Sequence, residues 1–334
     1  MKIKFTHTYN YIISLENLLE AWKEFIIGKK NRKDVQLFEF NLMSNIITLH
    51  KELKSKTYKH SPYEAFNISD PKPRNIHKAK VKDRLLHHAI YRRLYSFLDK
   101  TFISDSYSCR LNKGIHKAIN RFRYLTNKIS KNNTKTIWIL QCDIKKFFDS
   151  VGHKILTSIL QEYIEDTDIL WLFNCVIDSF HKYPGKGLPL GNLTSQLLVN
   201  VYMNKFDQFV KHKLKAKYYI RYADDFVIIS QYKEWLQSIL PEISIFLLNK
   251  LKLQLHPNKI SIRTLSSGID FLGWVHFPDH RVLRTTTKRR MFKRIKEMNR
   301  KEEIIQSYLG LISHGNAIKL QRKIERLSDE GTVR

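Results

Sequence analysis

The chain reads as an α+β protein in which helices outnumber a few short strands. Three observations predict this. Apolar residues recur at helical spacing through most of its length. Strand-like runs rich in β-branched and aromatic residues are confined to a few places, chiefly "TKTIWILQC" and "KYYIRYADDFVIIS". Glycine and proline punctuate the joins, with no internal repeat and no low-complexity segment. At 43% hydrophobic and 12% aromatic, 334 residues suffice to bury a real core.

From the start, Leu15, Leu18, Leu19, Trp22, Phe25 and Ile26 predict a helix, with Ser14 as N-cap and Gly28 as stop. After the charged "KKNRKD", a second helix is expected over roughly 35–53. "DPKPRNI" excludes helix and predicts a loop or hairpin tip, because each proline lacks a backbone donor. Helical spacing resumes over 81–98. The run 134–151 opens as a buried strand and breaks at Asp143. Helices are expected over 153–163 and 168–180. "GKGLPLGNLTSQLLVNVYMNKF" then forms a loop feeding a helix to about Lys215. Such a helix N-terminus either binds a phosphate or is simply a helix start. Residues 217–230 read as strand, tight turn, strand. A helix over 234–251 follows, with short strands near 260–262 and 271–275.

The charge is the outlier. Fifty-nine Lys and Arg against 31 Asp and Glu give a net +28. That excess predicts a polyanionic partner, most often nucleic acid. The segment 284–301 holds nine Lys/Arg and one acid, Glu297, with Met291, Ile295 and Met298 marking an apolar face. It reads as a helix whose Lys288, Arg289, Arg290, Lys293 and Arg294 contact a phosphate backbone. Cys109, Cys142 and Cys175 form no CxxC pair and no even-numbered framework, which speaks against a zinc site or a disulfide scaffold and fits a reduced, cytoplasmic setting. Glu16, Glu20 and Glu24 interrupt any signal-peptide core, and no apolar run approaches the ~20 residues that span a bilayer. A soluble protein without membrane partners is expected.

The chemistry is carried by carboxylates. "RYADDFVII" sets Asp224 and Asp225 side by side at a turn between apolar strands. They repel one another unless exposed or neutralised by a cation. Asp143 ends another strand, "IWILQCD". If the two strands are neighbours, Asp143 and Asp224 converge at one edge, and oxygen ligands there suit Mg²⁺. Two such ions would stabilise the attacking and leaving oxygens of an in-line phosphoryl displacement.

Several ordered blocks resemble bacterial reverse transcriptases. "YADD" is similar to that family's signature hairpin, and "CDIKKFFDSV" to the block with its first catalytic Asp. "PKPR", "VKDRLLHHAI" and "SYSCRLNKGIHKAI" resemble the fingers blocks and the block after them. "NKISIR" and "GIDFLGW" resemble the end of the palm and the primer grip. The resemblance implies a right-hand polymerase fold: fingers, a palm with an antiparallel βαββ-type sheet, and a helical thumb. It implies an N-terminal helical extension over 1–55, fingers over 56–135, palm over 136–276 with part of the fingers inserted, and a basic thumb over 277–334.

Carried over by position, Asp143, Asp224 and Asp225 are the catalytic carboxylates, and the Ile144 carbonyl joins them on metal. The metal is two Mg²⁺, with Mn²⁺ as a substitute. Lys72 and Arg74 match residues that bind the incoming deoxynucleoside triphosphate. Phe148 matches the steric gate against a ribose 2′-OH, with Phe147 as its core neighbour. Lys259 matches a lysine that assists the leaving pyrophosphate. Phe271, Leu272, Gly273 and Trp274 match the primer grip. Template RNA and a cDNA or DNA primer are the implied partners.

One departure narrows the resemblance. Most relatives carry Gln-Gly and end the block in Ser-Pro, whereas this chain has Leu190-Gly191 and Ser195-Gln196 in "LGNLTSQ". That pattern resembles the reverse transcriptases of diversity-generating retroelements, with Leu190, Gly191 and Gln196 against the nucleotide. It implies adenine-mutagenic copying of a template-repeat RNA (mutagenic retrohoming) and a pentameric accessory variability protein as partner. By that resemblance no maturase, endonuclease or RNase H domain is expected after Trp274. A stand-alone enzyme of an antiphage or group II intron-like system is the alternative. Leu190 offers packing where Gln offers a hydrogen bond worth about 0.5–1.5 kcal/mol, so discrimination between base pairs should fall. His314 and Gly315 read as structural.

Overall fold

The computed structural model describes residues 4–69, 73–298 and 301–332, with side-chain surroundings described to 326. They form two compact units. The first comprises Met1–Cys109, Ile144–Lys215 and Glu242–His256, and the second Arg110–Asp143, Ala216–Pro241 and Pro257–Arg334.

The first unit is mostly helical. Ser14 accepts from the Asn17 N–H and starts the helix Leu15–Phe25, and Gly28 at φ +68 follows its end. The expected second helix is two, Lys33–Phe40 and Leu42–Lys54, because Asn41 leaves the helical region (φ −113, ψ 35). Leu15–Phe25 packs on Val81–Asp99. Between them the buried Asn17 donates to the carbonyls of Ile12 and Ala89 and accepts from Arg92 and Arg93. All its polar atoms are thereby satisfied, which is what burial demands. Strands β1 (Glu64–Ile68) and β2 (Arg74–Lys78) pair antiparallel, so the described end of "DPKPRNI", from Arg74, is strand; Asp70, Pro71 and Lys72 lie outside the described residues. Leu193–Gln208 is buried on nearly every face and so occupies the middle of this unit.

The second unit holds the sheets. Strands β3 (Trp138–Cys142), β4 (Tyr219–Tyr222), β5 (Asp225–Ser230) and β6 (Ser261–Thr264) form an antiparallel sheet in the order β4-β5-β3-β6. β3 is central and buried, as its Ile-Leu core predicts. Strands β7 (Ile269–Phe271), β8 (Trp274–His276) and β9 (Arg281–Leu283) form a second meander. The strand expected over 271–275 is therefore two, broken by Leu272 and Gly273, both at positive φ. Helices Thr285–Glu297, Glu302–Ile312 and Ile318–Thr332 follow. Trp274, Leu283, Met291, Ile295, Ile305 and Ile312 belong to one core cluster there. Met291 and Ile295 face that core as expected, but Met298 caps the helix end and is 40% exposed.

Candidate active site

The sheet order brings Asp143 and Asp225 to one edge. Cys142 pairs with Phe226, so the residue after β3 and the first residue of β5 are neighbours. Tyr222 pairs with Asp225, which makes Ala223-Asp224 a two-residue turn and Asp225 a strand residue. Ala223 sits at φ 55, a left-handed conformation costly for any residue with a Cβ. Arg221, fully buried, donates from Nη1 to the Ala223 carbonyl at 3.1 Å and holds the turn in place. Arg221 is not legible in the sequence, because a basic residue inside a strand gives no pattern signal.

The carboxylates crowd one another. Asp143 is buried, and Asp225 hydrogen-bonds to it. Burial, then the charges of Asp224 and Asp143, push the Asp225 carboxyl up to about 7, while Lys259 pulls the other way. Lys259 Nζ donates to Asp143 Oδ2 at 2.8 Å. An all-oxygen cluster that cannot ionise fully without a cation fits Mg²⁺. Ile144, buried, opens the second segment of the first unit and bridges to Leu255 there.

In the first unit, left-handed Lys146 turns the chain into the short helix Phe147–Ser150. Phe147 is buried and Phe148 half-buried, their rings edge-on at 5.6 Å. The Phe148 carbonyl accepts from Leu188 N at 2.9 Å. Two residues on, the Leu190 carbonyl accepts from His77 N on β2 at 3.1 Å, and Asn192 Nδ2 donates to the His77 carbonyl at 2.9 Å. The "LGN" segment is thus bonded along β2. Gly191 at φ +100 is required, since a Cβ would lie 2.9 Å from Ile76 Cγ2. The helix begins at Leu193, so Gln196 lies within its first turn, half-buried. Arg74 opens β2 and is exposed, and Lys72 lies outside the described residues.

Back in the second unit, Phe271 and Trp274 are buried and paired across the β7–β8 turn, which Leu272 and Gly273 form. Arg284 N donates to the Gly273 carbonyl at 3.1 Å. Lys288, Arg289, Lys293 and Arg294 are exposed on the following helix, and Arg290 is half-buried. His314 stacks on His116 with centroids 3.6 Å apart, and Arg281 donates to its carbonyl. Gly315 lies against the Trp274 ring so closely that a Cβ would be 2.8 Å from Cη2.

The sequence also gave no notice of a cavity of about 230 Å³ in the first unit. Lys29, Arg32, Lys78 and Arg84 line it, beside Phe66 and Ile76. Asp34 pairs with Lys78 at 2.8 Å and Arg84 at 2.5 Å. Burial, Lys29 and Arg84 push the wall's His88 down to about 4. Buried His87 on the same wall has no partner at either ring nitrogen. The field there favours an anion. Its parts come from separate segments, so no local motif announces it.

Comparison with known proteins matches this architecture. Protein YkfC of Escherichia coli (strain K12) is 25% identical over 292 residues, covering 75% of this chain and 74% of that protein. Group II intron-encoded protein LtrA of Lactococcus lactis subsp. cremoris is 24% identical over 365 residues, covering 86% of this chain and 59% of LtrA. The chain thus spans under two thirds of LtrA's length. Among solved structures, apo telomerase from Candida tropicalis, truncated from its C-terminal domain, superposes with a TM-score of 0.50 at 13% identity. That alignment covers 72% of this chain and 60% of the telomerase chain, and it supports the right-hand polymerase fold. No helix among the described residues is long and apolar enough to cross a membrane. Residues 64–276 match the family described as Reverse transcriptase (RNA-dependent DNA polymerase), and the chain belongs to that family.

Proposed function

We propose that this chain copies a template-repeat RNA into cDNA with errors at adenines, as the polymerase of a diversity-generating retroelement. The observation that carries the polymerase chemistry is the convergence of Asp143 and Asp225 beside the Asp224 turn, with Lys259 on Asp143. Asp143, Asp224, Asp225 and the Ile144 carbonyl would hold two Mg²⁺ ions, for which Mn²⁺ could substitute. When bound, such ions stabilise the charge that develops on the attacking and leaving oxygens.

The remaining roles fall to this chain's own side chains. Lys259 keeps a proton at Nζ for the departing pyrophosphate and orients Asp143. Arg74, with Lys72, binds the incoming triphosphate. Phe148 excludes a ribose 2′-OH. The turn of Phe271, Leu272, Gly273 and Trp274 steadies the primer end, and Lys288, Arg289, Arg290, Lys293 and Arg294 meet its phosphates. The cavity of Lys29, Arg32 and Arg84 takes a template phosphate. In this reading residues 1–55 are an extension, 56–135 the fingers, 136–276 the palm and 277–334 the thumb. A pentameric accessory protein is the proposed partner, and the cytoplasm the proposed setting.

The subtype rests on Leu190. Its carbonyl is bonded to β2 while its side chain offers no polar group where Gln would. Gly191 and Gln196 complete the "LGNLTSQ" pattern. Primer extension on an RNA template with Mg²⁺ and dNTPs, followed by sequencing of the product, tests both levels. Extension that survives Asp224→Ala sinks the chemistry, and a flat error spectrum sinks the subtype. A second reading, an enzyme of group II intron type, is favoured by the similarity to LtrA. Accurate copying of template adenine would support it.

A further inference from the structure

His153, Asp178 and His181 form a cluster wholly within the first unit, whereas Asp143, Asp224 and Asp225 belong to the second. His153 is buried at the start of the helix His153–Gln161. Its Nε2 lies 2.7 Å from the Gly187 carbonyl, which only accepts, so Nε2 carries a hydrogen. A neutral ring then presents a lone pair at Nδ1. That atom lies 3.1 Å from Asp178 Oδ1, also an acceptor. Two acceptors at this distance require a positive species between them, either a second ring proton or a metal ion.

The surroundings favour the metal. His181 supplies a third donor, and one ligand atom from each residue lies within 4.8 Å of the others. Nitrogen and oxygen donors on a tetrahedral zinc at about 2.0–2.1 Å stand roughly 3.3 Å apart. The His153–Asp178 pair already approximates this, and the exposed His181 ring lies against that of His153 with centroids 4.8 Å apart. A ligating histidine characteristically donates its other N–H to a carbonyl, as His153 does to Gly187. Asp178 caps the C-terminus of the helix Thr167–Ile177, whose dipole end attracts a cation. Two imidazole nitrogens among the three donors suit an ion that bonds nitrogen in preference to Mg²⁺.

We propose that His153, Asp178 and His181 bind one divalent transition-metal ion of the zinc class, with solvent as the fourth ligand. The site is a clasp for the segment that follows it. His153 holds the Gly187 carbonyl, Gly187 N donates to Val151 O at 2.9 Å, and Leu188 N donates to Phe148 O at 2.9 Å. A bound ion therefore fixes the chain between the Phe148 turn and Leu190. The three cysteines take no part.

The test uses the whole chain, stripped with chelator and kept in excess Mg²⁺ so that the carboxylate site is filled. Co²⁺ is titrated in, the intense visible band of four-coordinate cobalt is recorded, and Zn²⁺ is used to displace it. The expected result is one equivalent with that band, and a Zn²⁺-dependent rise in melting temperature. His181→Ala and Asp178→Asn, both at exposed positions, should each weaken binding about tenfold or more while leaving the metal-free melting temperature in place. The proposal is overturned if wild type and His181→Ala bind Co²⁺ alike, or if only six-coordinate cobalt forms. The pair would then be a plain imidazolium–carboxylate contact. Neither readout depends on polymerase activity.

Discussion

Lys259 Nζ reaches Asp143 Oδ2 at 2.8 Å, so a lysine just before β6 neutralises part of the carboxylate that ends the neighbouring β3. Lys259→Ala should lower single-nucleotide incorporation by about 10²-fold, with nucleotide affinity less affected, if it acts as a proton donor. Lys259→Arg should restore binding of the product side but little of the rate. A pH–rate profile with an unchanged basic limb in Lys259→Ala would reduce the residue to an ion-pair partner.

Asp225 gives a stability prediction. Its carboxyl titrates near 3.9 in an unfolded chain and is pushed up to about 7 here by burial, Asp224 and Asp143. The folded state then binds more protons than the unfolded one between those values. Its contribution is fully present below about pH 4 and is lost as pH rises through about 7. Asp225→Asn should therefore stabilise the metal-free protein near pH 8 by on the order of 2 kcal/mol, with little effect near pH 4. Chemical denaturation at the two pH values, in chelator, checks it. Mg²⁺ should stabilise the wild type at the higher pH far more than the variant.

Leu190→Gln should lower misincorporation opposite template adenine several-fold, the worth of one added hydrogen bond at about 1 kcal/mol. Deep sequencing of cDNA from wild type and variant measures this directly. An identical error spectrum would remove Leu190 from the explanation.

Gly315→Ala should destabilise the second unit by about 1–3 kcal/mol, since the new methyl would collide with the buried Trp274 ring. Thermal unfolding should show the loss. Primer extension should fall in product length before initial rate, because Trp274 also closes the β7–β8 turn. A variant as stable as wild type would mean that the ring moves aside without cost.

The sequence announced what is local or periodic. β3, β5 and the Asp143, Asp224 and Asp225 cluster were legible because an apolar run ending in Asp marks a strand end, and an Asp-Asp turn marks another. Their adjacency depends on strand order, which the pairing of Cys142 with Phe226 supplies. The break at Asn41 escaped notice because apolar spacing runs straight through it. The turn at Leu272-Gly273 was hidden by its short strands, of three residues each. The stacked His116 and His314 and the basic cavity are illegible for a common reason. Each is made by contacts between segments far apart in the chain, and such contacts leave no periodic trace.

The left-handed Ala223 has a consequence for the order in which the molecule assembles. Ala-Asp is not a pair that forms a tight hairpin turn unaided, as Asn-Gly does. The β4–β5 hairpin therefore has little tendency to nucleate, and its turn is held by Arg221 and by β5 pairing with β3. β3 lies distant along the chain, so that pairing carries a large loop-closure entropy and is slow to form. The carboxylates should thus come together among the last events of folding, after local helices have formed.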